Sequence, residues 1–296
     1  MYSYKEEITA HMKKNGTIYI CGLCFIFICA SCKNENSVKD VNAIPFDSIA
    51  AKDSLISSTS SKFDMVISDI PFPFEILDNL YAQKIPFNQK AMNDFSNSSK
   101  YSEYNSKALN LGVYGADLSY SVTYEQFQQI GLYVKNSKKL AYDLNIPYAF
   151  DDKMMQKYNQ YKDNKDSLTR IVYDSYNQVD KALKGDERVG IAALVVTGSW
   201  LEGLYLSTKT YVDAPKTSEN SSLYKVIAGQ KQSLVIVIKL LEEYKKDEYI
   251  SNLISDLKQI TSEYSDISDD NTMNEKQLVL ILAKVEKLRM KIINGL

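Results

Sequence analysis

Histidine and cysteine are almost missing from this 296-residue chain. Its one histidine, His11, and its four cysteines, Cys21, Cys24, Cys29 and Cys32, all fall within the first 32 residues. From Lys33 to Leu296 there is neither. That stretch cannot supply a Ser-His-Asp or Cys-His nucleophile, nor a zinc, iron or copper site built on His or Cys. It cannot form a disulfide either, so the core itself must supply the stability. Arginine is scarce, with only Arg170, Arg188 and Arg289, which argues against a dedicated phosphate-binding surface. The net charge is −2. Leaving out the first 31 residues, with Lys5, Lys13, Lys14, Glu6 and Glu7, makes it −3. Neither value gives an electrostatic footprint for nucleic acid. No GxGxxG, GxxxxGK[ST] or GxSxG string occurs. Three acidic clusters, Asp151-Asp152, Asp163-Asn164-x-Asp166 and Asp266-x-x-Asp269-Asp270-Asn271, lack the spacing and central glycine of a calcium loop. They read as helix caps and turns, and no metal or cofactor is expected.

What is present begins with a targeting segment over residues 1–31. Thr17–Ile28 is an apolar run, preceded by Lys13-Lys14 and followed by Cys29-Ala30-Ser31-Cys32. It is too short to span a bilayer, which takes about 20 apolar residues. Two CxxC pairs could suggest a zinc ribbon, but only four residues separate them, too few for a loop to fold round an ion. A basic flank, an apolar core and small residues before a cysteine resemble a bacterial lipoprotein signal peptide. That resemblance implies lipidation of Cys32, which becomes the mature N-terminus. Cys29 stands where such signals usually carry leucine. Glu6 and Glu7 are unusual ahead of a signal core, and Met12-Lys13-Lys14 makes the cleaner start. Residues 32–62, rich in Ser, Asn, Asp and Lys, read as a flexible tether after the lipidated cysteine. The opening Lys33-Asn34-Glu35-Asn36 partly resembles the post-cysteine signals of Bacteroidota surface lipoproteins.

Residues 63–296 are predicted to form an all-α domain, an antiparallel bundle of seven to eight helices, since no stretch shows strand alternation. All six prolines fall between periodic segments. The pattern gives short helices at Phe74–Ala82 and Asn88–Phe95. A long stretch over Ser102–Leu144 breaks near Val122–Thr123. Further helices fall at Lys153–Tyr161, Ser167–Leu183, Glu187–Thr210, Ser218–Lys245 and Asp247–Tyr264. Thr272-x-x-Glu275 reads as a capping box for the last helix, and Gly295 ends it. No fixed period of a helical-repeat solenoid is found.

Two stretches stand out by lacking charge. Val189–Thr208 carries only Glu202, and Ala108–Tyr124 carries only Asp117. A helix apolar on most of its circumference belongs inside a bundle. In the second stretch Asn110, Tyr114, Asp117, Ser121, Tyr124 and Gln128 fall on one stripe. This is either the solvent face or the wall of a polar cavity or buried hydrogen-bond network; the absence of Lys, Glu and Arg before Glu125 speaks for the latter. Glu202 sits on an apolar face, where an unpaired carboxylate would cost several kcal/mol. It is either a satisfied core glutamate or part of a pocket with Asp117. In the pocket reading Asn110, Tyr114, Tyr120, Trp200 and Tyr205 line the site, and Gly198 and Gly203 allow a helix or ligand to come close. The two stretches resemble each other and also resemble uncharacterised helical lipoproteins of Bacteroidota, a likeness that assigns no activity.

The expected function is therefore a lipid-anchored component of the cell envelope at the outer membrane, on its periplasmic face or the cell surface. It would bind or assemble rather than catalyse, with a small molecule or another envelope protein as partner and no nucleic acid. The alternative is a hydrolase working with carboxylates alone, Glu202 as general acid and Asp117 as nucleophile or base, as glycosidases do.

Overall fold

In a computed structural model the described residues are 70–185, 188–215, 223–267 and 272–295. The signal segment, Cys32, the tether, Glu187 and the start of the helix predicted from Ser218 lie outside them. The described residues belong to one compact unit. They form ten α-helices and three short 3-10 turns, with no strand among them. The helices are α1 (Pro73–Ala82), α2 (Tyr104–Thr123), α3 (Phe127–Asp143), α4 (Asp152–Tyr161) and α5 (Lys165–Gly185). They continue with α6 (Val189–Asp213), α7 (Leu223–Ala228), α8 (Gln230–Glu242), α9 (Glu248–Tyr264) and α10 (Glu275–Ile293). The fold is all-α, with ten helices rather than the seven to eight expected.

The ends of α1, α2 and α3 fall within a residue of those expected, at Ala82, Thr123 and Asp143. α1, α2 and α3 each end on a residue in the left-handed region, Lys84, Glu125 and Asn145, with φ of 55°, 56° and 56°. In each case the next N–H reaches back to a carbonyl five residues earlier: Ile85 to Leu80, Gln126 to Ser121, Ile146 to Ala141. This is the Schellman closure, usually built on glycine or asparagine. Ile85 and Ile146 then bury their side chains, and that burial offsets the strain of a side chain at positive φ. The break in the long stretch thus falls at residues 124–126, just past the expected one. The helix expected over Ser218–Lys245 divides at Gly229 into α7 and α8.

Asn88–Phe95 is not an α-helix. It forms a 3-10 turn at Gln89–Ala91, then an extended piece, then a second turn at Phe95–Ser99. The capping box also sits elsewhere than expected. Asn274, not Thr272, caps α10: its side chain accepts from Gln277 N–H at 3.0 Å, and Gln277 Oε1 accepts from Asn274 N–H at 2.9 Å. Asn274 is extended (φ −107°, ψ 170°), as an N-cap must be. Asn274→Ala is expected to lower stability by about 1 kcal/mol, measured by urea denaturation.

α2 and α6 form the centre. α6 is long and apolar enough to cross a membrane, but 83% of its most apolar window is buried inside the protein. The two helices touch backbone to backbone. A Cβ on Gly198 would lie 1.9 Å from the Leu109 carbonyl oxygen, and one on Gly112 would lie 2.0 Å from that of Val195. At Gly203 the nearest atom to such a Cβ is 3.8 Å away, in Pro73, so that glycine is not required by a close approach.

Leu109 lies against Gly198, and eleven residues on Tyr120 bonds Thr210. The two central helices therefore run in the same direction. The bundle is antiparallel only around them: Lys165 at the start of α5 donates to the last carbonyl of α2, Thr123, at 2.8 Å. Asn110, early in α2, donates to Ile292 at the end of α10 at 3.0 Å. The parallel pair is possible because α3, α4 and α5 return the chain between them.

Candidate functional site

Glu202 on α6 is fully buried and answered by one cation. Arg289 on α10 grips it with two bonds, Nε to Oε2 and Nη2 to Oε1, each 2.7 Å. This bidentate geometry is the strongest a carboxylate can receive from a side chain. The guanidinium lies over the Tyr205 ring, 4.1 Å from its centroid, adding a cation–π contact. Burial works against the arginine's charge, but Glu202 outweighs it and the pKa of Arg289 is raised. Glu202 is itself pushed up by burial and held back by Arg289.

Asp117 on α2 completes the cluster. Its Oδ1 accepts the Asn93 N–H at 3.3 Å; its Oδ2 meets no N–H or O–H of the protein. Burial, and then the charge of Glu202, raise its pKa well above the usual carboxylate range, Arg289 opposing in part. Burial and the neighbouring Glu202 charge thus favour the neutral, protonated form of Asp117, while Glu202, raised by burial, is lowered by its neighbours Arg289 and Asp117. One guanidinium, one carboxylate and one carboxylic acid sum to zero, the only balance a site this dry tolerates cheaply.

The cluster holds an irregular segment. Ala91 and Asn93 are 0% and 1% exposed, a position where loops are rare because their backbone groups go unpaired. Here side chains from three helices pair them. Arg289 donates to Ala91 O (3.0 Å), Tyr133 on α3 to Asn93 O (2.8 Å) and Tyr114 on α2 to Asp94 O (2.9 Å), while Asp117 takes the Asn93 N–H. The Asn93 side chain is fixed as well: it donates to Tyr101 OH at 3.2 Å and accepts from Asn97 at 2.7 Å. Burial pushes the Tyr101 hydroxyl up to about 12 and those of Tyr114 and Tyr133 further, so all three remain donors.

The candidate pocket residues separate into four places. Asp117, Glu202 and Tyr205 meet in the cluster, and Tyr114 joins it through the buried segment. Asn110 ties α2 to the end of α10. Tyr120 lies further along, accepting the Asn88 N–H at 2.9 Å and stacked on Phe87. Trp200 points away and donates to Gln230 at 3.1 Å. Of the expected stripe, Asn110, Tyr114, Asp117 and Ser121 are buried on α2 and Tyr124 at its C-cap is half-buried, while Gln128 falls beyond the break on α3 and is exposed. It is a buried network along most of its length.

Neither carboxyl is exposed, and neither of the two described depressions reaches them. An apolar groove of about 90 Å³ runs between the Ile70–Pro73 segment, α5 and α6, with Tyr176, Val196 and Trp200 in its walls. A shallow hollow of about 10 Å³ lies between α9 and α10. Among the described residues no three His, Cys, Asp or Glu side chains gather as a metal site would need.

Four cluster residues were not legible as such: Arg289, Asn93, Tyr101 and Tyr133. A signal for Arg289 did exist. It stands four residues after Val285 and three before Ile292, on the buried stripe of α10, where one of only three arginines in the chain demands a buried acid. Comparison with protein families, with curated proteins and with solved structures finds no match to this chain.

Proposed function

We propose that this chain is a lipid-anchored component of the bacterial cell envelope, held to the outer membrane through Cys32, which binds or assembles rather than catalyses. The observation that carries the proposal is the run from Lys13-Lys14 through the apolar Thr17–Ile28 to Ala30-Ser31-Cys32. The geometry of the acids supports the non-catalytic half. Asp117 and Glu202 are engaged with each other, with Arg289 and with the main chain of residues 91–93. A hydrolase using Glu202 and Asp117 draws no support from this arrangement, because substrate and water would first have to displace that segment. The test is metabolic labelling with a palmitate analogue in cells expressing the full chain, with and without globomycin. Label is expected on the wild type and absent from Cys32→Ala. A Cys32→Ala chain that still took up label would overturn the anchor.

A further inference from the structure

The buried segment 91–94 differs from every other element around the cluster in how it is held. α2 and α6 cannot part locally, because their backbones touch at Gly112 and Gly198. α10 is fixed by a continuous buried face of Leu278, Ile281, Leu282, Val285 and Leu288. Met92–Asp94, by contrast, lies between two 3-10 turns, and its main chain depends on Arg289, Asp117, Tyr133 and Tyr114.

We propose that residues 91–94 are a latch, held shut while the Asp117–Glu202 pair keeps one proton and released as a unit when that proton is lost. With the proton the cluster is neutral. Without it two carboxylates face one guanidinium in a site closed to water. The groups facing Asp117 are Glu202 on α6, Arg289 on α10, Tyr114 and Tyr120 on α2, Tyr133 on α3, Tyr176 on α5, and Asn93 and Tyr101 on the segment side. Arg289 is the one cation among them, and its Nε and Nη2 are already engaged with Glu202 and the Ala91 carbonyl. None of the tyrosine hydroxyls that reach the segment is free to turn to Asp117, since each donates to a carbonyl. The excess negative charge is best relieved by water, and the element placed to admit it is the segment that lies between two 3-10 turns and outside the α-helices.

Opening would uncover Asp117, Glu202, Arg289 and Tyr205 together. It also explains why an acid, not an amide, stands at position 117: an asparagine there would donate to Glu202 at any pH and the latch would never open.

Hydrogen exchange followed by mass spectrometry on the full chain tests this between pH 5 and 9. Amides of residues 91–100 are expected to exchange at least about tenfold faster than those of α6, independently of low urea, which is the mark of a local opening. Their rate should rise about a hundredfold per pH unit, one factor of ten from hydroxide catalysis and one from the proton released on opening. In Asp117→Asn the rise should fall to about tenfold per unit. Exchange of the segment only at the α6 rate, with the same urea response, would overturn the latch. So would a tenfold rise per unit in the wild type, since no proton would then be released. Should Asp117→Asn not fold, Tyr133→Phe serves in its place. It removes the donor to Asn93 O, and the segment should exchange faster with the hundredfold rise retained; unchanged exchange counts against the latch.

Discussion

Arg289→Met is expected to be the most damaging single substitution in the described domain, lowering folding stability by about 3–5 kcal/mol in urea denaturation. Methionine fills much of the same volume, so the loss is not one of packing. It comes from stranding Glu202 beside Asp117, two acids with one proton between them and no cation, at 0% exposure. The variant should take up a second proton on folding, and its deficit should shrink as the pH falls towards 4. The double variant Glu202→Gln, Arg289→Met removes both charges and should recover a large part of the loss, because a buried ion pair is often replaceable by neutral groups of similar shape. A single variant no less stable than the wild type at pH 7 would show that Glu202 is not charged in the folded state.

Gly198→Ala is expected to cost about 3 kcal/mol or more, read as a fall in the urea midpoint. The methyl would meet the Leu109 carbonyl oxygen at 1.9 Å. Because the obstacle is helix backbone, no rotamer change relieves it; α2 and α6 must move apart. That movement would loosen the cluster lying one turn further along. Gly203→Ala makes the matched control: its methyl finds ordinary van der Waals space, and the better helix propensity of alanine should leave stability unchanged or raised by about 0.5–1 kcal/mol. Equal losses at the two positions would mean that the backbone contact at Gly198 is not what holds the centre together.

Much of the fold was readable from the chain. The amphipathic spacing of α5, α9 and α10 needs only neighbours three and four residues away, and it placed those helices within a few residues. The lack of charge in α2 and α6 announced two buried helices and placed Glu202 on an apolar face, while the stripe of Asp117 stayed open between the solvent face and a buried network. What failed was local structure whose hydrogen bonds are completed from a distance. Asn88–Phe95 has helix-compatible composition, yet its backbone partners are Arg289, Tyr133 and Tyr114.

By itself the sequence determined that the domain is helical, which two helices are central, and that each carries a single acid. These follow from periodicity and composition, which are properties of short stretches. Only the tertiary structure decided that the two acids lie in one cluster, that the central helices run parallel, and that Glu202 is answered by Arg289. The partner of a buried charge is chosen by packing: Glu202 and Arg289 stand 87 residues apart in the chain. No local pattern encodes that contact. The shape of the bundle sets it, and the energetic penalty of an unpaired charge in a dry site then requires it.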